Sequence, residues 1–214
     1  MNPRRVWWRH CSLIVGLLAV QGFALAAPPA TVLVVGDSLS AEYGIARGSG
    51  WVALLQARLD RRGRGERVVN ASVSGDTTAG GRARLPALLA QHRPTHVVLE
   101  LGGNDALRGL PMAHTEDNLR AMTRASQAAG AQVLLLGMQV PPNYGRAYNE
   151  AFAQAFVKVA QQEKAALVPF FLSGVADAPD PTQWFQPDRI HPLATAHPRL
   201  LENAWAGLKG QLPR

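Results

Sequence analysis

Five short apolar runs rich in β-branched residues, separated by longer stretches of helical period, leave a chain like this few folds to choose from. The runs are Thr31 to Gly36, Arg67 to Ala71, His96 to Leu101, Gln132 to Met138 and Ala166 to Phe170. Each is nearly continuous in apolar residues rather than alternating, as expected of strands covered on both faces. Between them, Trp51, Leu54, Leu55 and Leu59 recur at helical spacing, as do Leu119 and Met122, then Phe152, Phe156, Val159 and Ala160, then Leu200, Leu201, Ala204, Trp205 and Leu208. Strands that alternate with helices pair in parallel, with the helices as crossovers on both faces of the sheet. The expectation is an α/β fold: a three-layer α/β/α sandwich around a five-stranded parallel sheet in the flavodoxin-like order.

Local signals refine the helices. Thr115 is expected as the N-cap of the Leu119 helix, with Glu116 and Asp117 in its first turn and Gly130 as its stop. Pro86 sits inside an otherwise helical run from Arg82 to Gln91, which predicts a late start or a kink there.

The first 26 residues read differently from the rest. Arg4, Arg5 and Arg9 precede an apolar run from Leu13 to Ala26 that ends in Ala24-Leu25-Ala26. A basic start, a short apolar run and small residues two apart mark a cleaved secretory signal. The run is shorter than the ~20 residues of a spanning helix and is broken by Gln21, so no stable membrane anchor is expected after cleavage. Residues 27–214 then form one domain, within the size a single core serves. The only cysteine, Cys11, lies in the signal, so the mature chain has no disulfide and rests on its core alone. The expected location is periplasmic or secreted, and a monomer is the default.

The formal charge of +7 falls to +4 without the three signal arginines. So mild a surplus does not point to nucleic acid. The run Arg58, Arg61, Arg62, Arg64 and Arg67 reads as the solvated end of a helix and its loop.

In an open parallel sheet, ligands bind beyond the carboxyl ends of the strands. Three predicted strands run into polar segments there: Gly36-Asp37-Ser38-Leu39-Ser40, Ser72-Val73-Ser74-Gly75-Asp76 and Gly102-Gly103-Asn104-Asp105. Sheet geometry gathers all three along one edge. Ser38, on a tight turn where a strand hands over to helical structure, has an exposed hydroxyl and a free amide, as a nucleophile needs. His191 in Asp188-Arg189-Ile190-His191-Pro192 is the candidate base. An acid three residues before a histidine can fold back onto Nδ1 and leave Nε2 facing the nucleophile. Taken singly these residues have plainer readings. Asp188-x-x-His191 can be a surface turn, Gly75 a positive-φ turn, Asn104 a helix cap. Asp37 can serve to hold the Ser38 turn through backbone amides.

Together, and in this order, the four segments resemble the sequence blocks of the SGNH, or GDSL, hydrolases. Asn70 to Thr77, Ala83 to Leu89, Glu100 to Asp105, Asn143 to Arg146 and Tyr148 to Phe152 are similar to the thioesterase, lysophospholipase and arylesterase branch of that family. The resemblance implies Ser38 as nucleophile, His191 as general base and Asp188 as its orienter. It also implies an oxyanion hole made of the Ser38 amide, the Gly75 amide and the Asn104 side chain. The segment is not the Gly-x-Ser-x-Gly nucleophile elbow, because position 40 is Ser.

Two loops border the same edge: Ala106 to Leu110, and Pro141 to Tyr144. In the family the first resembles a mobile loop beside the acyl group, which implies that Leu107 and Leu110 touch acyl chain. Tyr144 is the corresponding candidate on the second loop. Trp184 and Phe185 can wall the pocket or pack the last helix. His92, His96, His114 and His197 lie outside the blocks and read as surface or packing residues.

The implied activity is hydrolysis of carboxylic esters and thioesters (aryl esters, acyl-CoA, lysophospholipids) through an acyl-enzyme, without metal or organic cofactor. The partner is a small acyl substrate, including lipids. The alternative within the family is an O-deacetylase of carbohydrate or cell-wall polymers. Two further readings are weaker. A phosphate-binding module at Gly36 to Ser40 lacks the P-loop lysine and leaves Asp188 and His191 without a task. A metal site would need Asp37, Asp105, Asp188 and His191 to converge.

Overall fold

The computed structural model describes residues 29–213. The leader and Cys11 lie outside the described residues. Five strands form one sheet: β1 (Thr31–Gly36), β2 (Arg67–Asn70), β3 (His96–Glu100), β4 (Gln132–Leu136) and β5 (Ala166–Val168). All pairings are parallel and the order is β2-β1-β3-β4-β5, the flavodoxin-like order. Each expected strand is present, and four stop one to two residues early, at Asn70, Glu100, Leu136 and Val168.

The strands are joined by α1 (Trp51–Asp60), α2 (Thr78–His92), α3 (Gly103–Leu107), α4 (Met112–Ala128) and α5 (Arg146–Glu163), and the chain ends in α6 (His197–Leu208). α1 and α6 pack together on one face; α2, α4 and α5 cover the other. Central strands β1 and β3 are buried along their whole length, whereas edge strand β2 is half exposed. This explains the unbroken apolar runs of β1 and β3. The helical stripes point inward as their spacing requires: Trp51, Leu55 and Leu59 from α1, Phe152, Phe156 and Val159 from α5, Leu200, Ala204 and Leu208 from α6 are all buried. Among the described residues no helix is long and apolar enough to cross a membrane.

Two local expectations need correction. α4 starts at Met112 behind Pro111, so Thr115 is not a cap. It lies a turn inside the helix, buried, where its hydroxyl donates to Asp105 Oδ1 at 3.4 Å. Pro111, with its fixed φ, ends the preceding loop first. α2 does not start late: it begins at Thr78, behind Thr77, whose hydroxyl accepts from the Gly80 amide at 3.3 Å, and runs through Pro86. Pro86 and Arg82 both face solvent, so water can take the carbonyl that the proline leaves unpaired. Gly130, in positive φ, does close the end of α4.

The arginine run is absorbed structurally, as expected. Arg58 pairs with Glu202 and Arg62 with Glu66, while both guanidinium groups lie over the Trp205 ring, 5.2 and 5.8 Å from its centroid. His96 and His197 are buried packing residues.

Candidate active site

The carboxyl edge of the sheet carries the three polar segments and, folded over them, the loop from Trp184 to Leu193. At the end of β1 the chain turns sharply: the Ser40 and Ala41 amides both donate to the Asp37 carbonyl, at 3.2 and 2.9 Å. Asp37 Oδ1 accepts from the Leu39 amide at 3.0 Å, so the acid braces its own turn, the role its position suggested. The turn lifts the Ser38 side chain out of the sheet edge.

The 184–193 loop is a small knot held by its own backbone. Gln186 donates to the His191 carbonyl at 2.8 Å, Arg189 to Gln186 at 2.8 Å and Leu193 to Trp184 at 2.8 Å, and Phe185 pairs antiparallel with Pro192. Arg189 adopts φ +60, a left-handed turn that brings Asp188 back over His191. Asp188 Oδ1 accepts from the Ile190 and His191 amides at 2.9 and 3.0 Å; its Oδ2 faces His191 Nδ1 at 2.7 Å. His191 Nε2 lies 2.8 Å from Ser38 Oγ. The loop thus orients a histidine on a hydroxyl. With Nδ1–H given to the carboxylate, the Nε2 lone pair faces the serine. Burial, the largest single influence, raises the Asp188 carboxyl, but the bonds from the His191 amide and ring and the Ile190 amide together outweigh it and bring it down to about 2. It is therefore anionic across any ordinary pH.

Donors gather beside the serine. Among the described residues, neither the Ser38 nor the Gly75 amide has an acceptor. Gly75 sits at φ +78, which a side-chain-bearing residue rarely adopts, and the turn it makes leaves its N–H free. Asn104 Nδ2 donates to Asp37 Oδ2 and to the Asp76 carbonyl, each at 3.0 Å, so the side chain bridges the ends of β1 and β2 rather than capping α3.

Asp105, its neighbour, points the other way. It is buried and binds the Thr78 amide at 2.9 Å, the Thr78 hydroxyl and Thr115, tying α2, α3 and α4 together. That separates it from Asp37 and Asp188, and among the described residues no group of three or more His, Cys, Asp or Glu is arranged to hold a metal.

From Ser38 and His191 a cleft of about 560 Å³ runs along the carboxyl ends of β3, β4 and β5. Its walls are mostly apolar: Leu107, Met138, Val140, Phe170, Leu172 and Phe185. Leu107 lines the cleft. Leu110 and Tyr144 do not line the cleft; they stand exposed outside it, with Tyr144 Oη 3.5 Å from the Leu107 carbonyl. Phe185 is a wall and Trp184 packs against the core. Phe170, Leu172 and Ile190 were not singled out from sequence. Their signal was only their place just beyond β5 or beside His191, since an apolar residue there looks like any core residue. Tyr43 was also missed: its ring packs on the His191 imidazole with centroids 4.4 Å apart.

The comparisons with known proteins agree with this geometry. The family model for the GDSL-like Lipase/Acylhydrolase family matches residues 34–199. The chain is 55% identical over 197 residues to Esterase TesA of Pseudomonas aeruginosa, covering 92% of this chain and 96% of that one. It is 47% identical over 199 residues to Thioesterase 1/protease 1/lysophospholipase L1 of Escherichia coli K12, covering 92% and 91%. Among solved structures, that of TesA superposes with a TM-score of 0.81 at 58% identity, over 85% of this chain and 99% of the other. With the sheet order, the four motif segments and these relatives in accord, the chain belongs to the GDSL-like lipase/acylhydrolase family.

Proposed function

We propose that the protein hydrolyses carboxylic esters and thioesters by acyl transfer to Ser38. His191 Nε2 takes the hydroxyl proton as Oγ attacks the carbonyl carbon, and Asp188 holds the ring and balances the imidazolium. The oxyanion that forms is taken by the Ser38 amide, the Gly75 amide and the Asn104 side chain. His191 then hands the proton to the departing alcohol or thiol. Water repeats the sequence to free the acid and return the serine. The single observation that carries this reading is the His191 ring between Asp188 and Ser38, at 2.7 and 2.8 Å.

Medium to long acyl chains are the proposed substrates, because the cleft is long and apolar; an acetyl group needs no such walls. The names of the relatives, an esterase and a thioesterase that is also a lysophospholipase, support aryl esters, acyl-CoA and lysophospholipids as the classes to test. Leu107 is proposed as an acyl contact, and Leu110 and Tyr144 as residues of the mouth. The leader-like residues 1–26 support export to the periplasm or beyond.

A fluorophosphonate probe followed by peptide mapping tests the nucleophile: label on the peptide holding Ser38, absent from Ser38→Ala, is expected. No label on the folded protein would remove the mechanism. A panel of esters of graded chain length tests the substrate, and a preference for acetyl over octanoyl would turn the assignment toward an O-deacetylase.

A further inference from the structure

Beneath the Ser38 turn lie two carboxyl groups that the proposed reaction does not consume. Glu100, the last residue of β3, is fully buried. Its Oε2 accepts from the Ser40 hydroxyl at 2.7 Å and from the Asp37 amide at 3.3 Å, and Ser40 Oγ accepts in turn from Trp51 Nε1 at 3.1 Å. Glu100 Oε1 is buried without a hydrogen-bond partner among the described residues. The fit is close. A Cβ on Gly36 would come within 2.8 Å of both Glu100 Oε2 and Ser40 Oγ, so β1 must end in glycine for the acid to pass under the turn. Above it, Asp37 Oδ1 accepts from the Leu39 amide and Asp37 Oδ2 from Asn104 Nδ2.

A carboxylate this deep, with one oxygen unpaired, costs several kcal/mol unless it is neutral or faces a cation. The charged and titratable groups around the pair are the two acids themselves, Asp76 with its partner Arg84 at 2.8 Å, and His191. Burial first, and the charge of Asp37 second, hold Glu100 well above the carboxylate range, so it is a neutral acid at working pH. Burial also lifts Asp37, to about 6, against the Leu39 amide, His191 and Asn104, which favour its charge. Near neutral pH the pair therefore carries one charge, and that charge sits where Asn104 can bind it.

We propose that Glu100 and Asp37 are positioning residues for the Asn104 amide. Glu100 fixes the Asp37 main chain from below, and the Asp37 carboxyl group holds one N–H of Asn104. The second N–H, now on the Asp76 carbonyl, is thereby the one an oxyanion takes. The inference rests on the reading of Asn104 as an oxyanion donor.

The test measures kcat, KM and the pH profile on a soluble aryl ester for Glu100→Gln, Glu100→Leu and Asp37→Asn, with Asn104→Ala and Ser38→Ala alongside. Glu100→Gln supplies a neutral acceptor at the same place, so its kcat and acid limb should match wild type. Glu100→Leu strands the Asp37 amide and the Ser40 hydroxyl; a displacement of about 1 Å at the donor can cost ~100-fold, so kcat should fall by ~10- to 100-fold with KM little changed. Asp37→Asn, buried but nearly the same shape as the acid it replaces, gives the check if the leucine variant does not fold. In wild type Asp37 must be ionised to hold the Asn104 amide, so kcat should fall as pH drops through about 6. Asp37→Asn should lower kcat and remove that component of the acid limb.

A wild-type kcat or an unchanged acid limb in Asp37→Asn would overturn the inference. So would a Glu100→Gln variant that folds normally yet loses as much kcat as Glu100→Leu. If instead Asn104→Ala keeps full activity, the oxyanion reading beneath it has failed.

Discussion

His191 Nε2 and Ser38 Oγ stand 2.8 Å apart although 153 residues separate them in the chain. Each end of that contact is fixed by its own local structure. Ser38 is held by a turn that Asp37 braces, and His191 by an acid that already binds two amides of its own loop. Tyr43 couples the two halves. Its amide donates to the Ser38 carbonyl at 3.3 Å, its carbonyl accepts from Gln186 Nε2 at 2.9 Å, and its ring packs on His191. Little motion is left to freeze when substrate arrives, and such preorganisation is a major source of rate.

Asp188 is half exposed, so replacing it leaves the core intact and isolates its effect on the imidazole. Asp188→Asn can still accept from the Ile190 and His191 amides, but its NH2 then faces Nδ1 and drives the proton to Nε2. The ring would offer the serine a hydrogen instead of a lone pair, and kcat should fall about 10⁴-fold at near-constant thermal stability. Because the carboxyl titrates at about 2, the acid limb of the wild-type profile should show no ionisation from Asp188. A loss below about tenfold would mean that Asp188 is not the orienter.

Gly75 allows the donor geometry to be separated from crowding. A Cβ there would meet only Arg108 Nη2, at 3.6 Å, an ordinary contact, while φ is +78. Gly75→Ala therefore suffers from backbone conformation alone, about 1–2 kcal/mol of stability in the left-handed region. If the turn relaxes to escape that strain, the amide swings away and kcat drops, with up to ~10²-fold expected for a lost donor. Denaturant unfolding and kcat on one preparation measure both. Unchanged kcat with unchanged stability, the sign of a relaxed turn, would remove the Gly75 amide from the oxyanion hole.

Much of this site could be read without coordinates, for a reason visible in β1 and β3. A parallel sheet places every strand's carboxyl end on one edge, so Ser38, Gly75 and Asn104 had to meet once the strands were recognised. Asp188 and His191 were legible because a three-residue spacing is a local geometry. The apolar cleft was not. Val140, Phe170 and Leu172 are apolar residues among many, and which of them turn toward the serine depends on how loops after β4 and β5 close. Glu100 was legible only as part of a motif, since nothing local distinguishes an acid that ends a strand from one that lies buried under the next turn. Thr115 misled because it offers a good capping side chain, but Pro111 starts the helix a turn earlier.

Ala176 tests the direction of the cleft. It lies beyond β5, and β5 is three strand spacings from β1, about 14 Å from the serine turn at ~4.8 Å per strand. Ala176→Phe should block the far end. Octanoyl and longer esters should lose at least ~10-fold in kcat/KM, since one or more methylenes would be expelled at ~1–3 kcal/mol each, whereas acetyl and butyryl esters should be unaffected. An equal loss for all chain lengths would place the acyl chain elsewhere.

His197 offers a stability prediction independent of the chemistry. At the start of α6 it is buried, and its Nδ1 accepts from the Trp51 amide at 3.0 Å, linking α6 to the start of α1. Burial lowers it from 6.5 to about 4, against a smaller opposing pull from Glu42, so the folded protein keeps the ring neutral where the unfolded chain would protonate it. The unfolded state thus binds the extra proton between these values. The contribution of His197 is complete above pH 6.5 and is lost as pH falls toward 4. The raised carboxyls of Asp37 and Glu100 act in the opposite sense, so the effect must be read as a difference. His197→Asn retains an acceptor for the Trp51 amide and cannot titrate. Wild type should lose roughly 2–3 kcal/mol relative to His197→Asn across that window. Parallel denaturant curves at each pH are the measurement, and a constant gap between the two proteins would show that folding leaves the proton affinity of His197 unchanged.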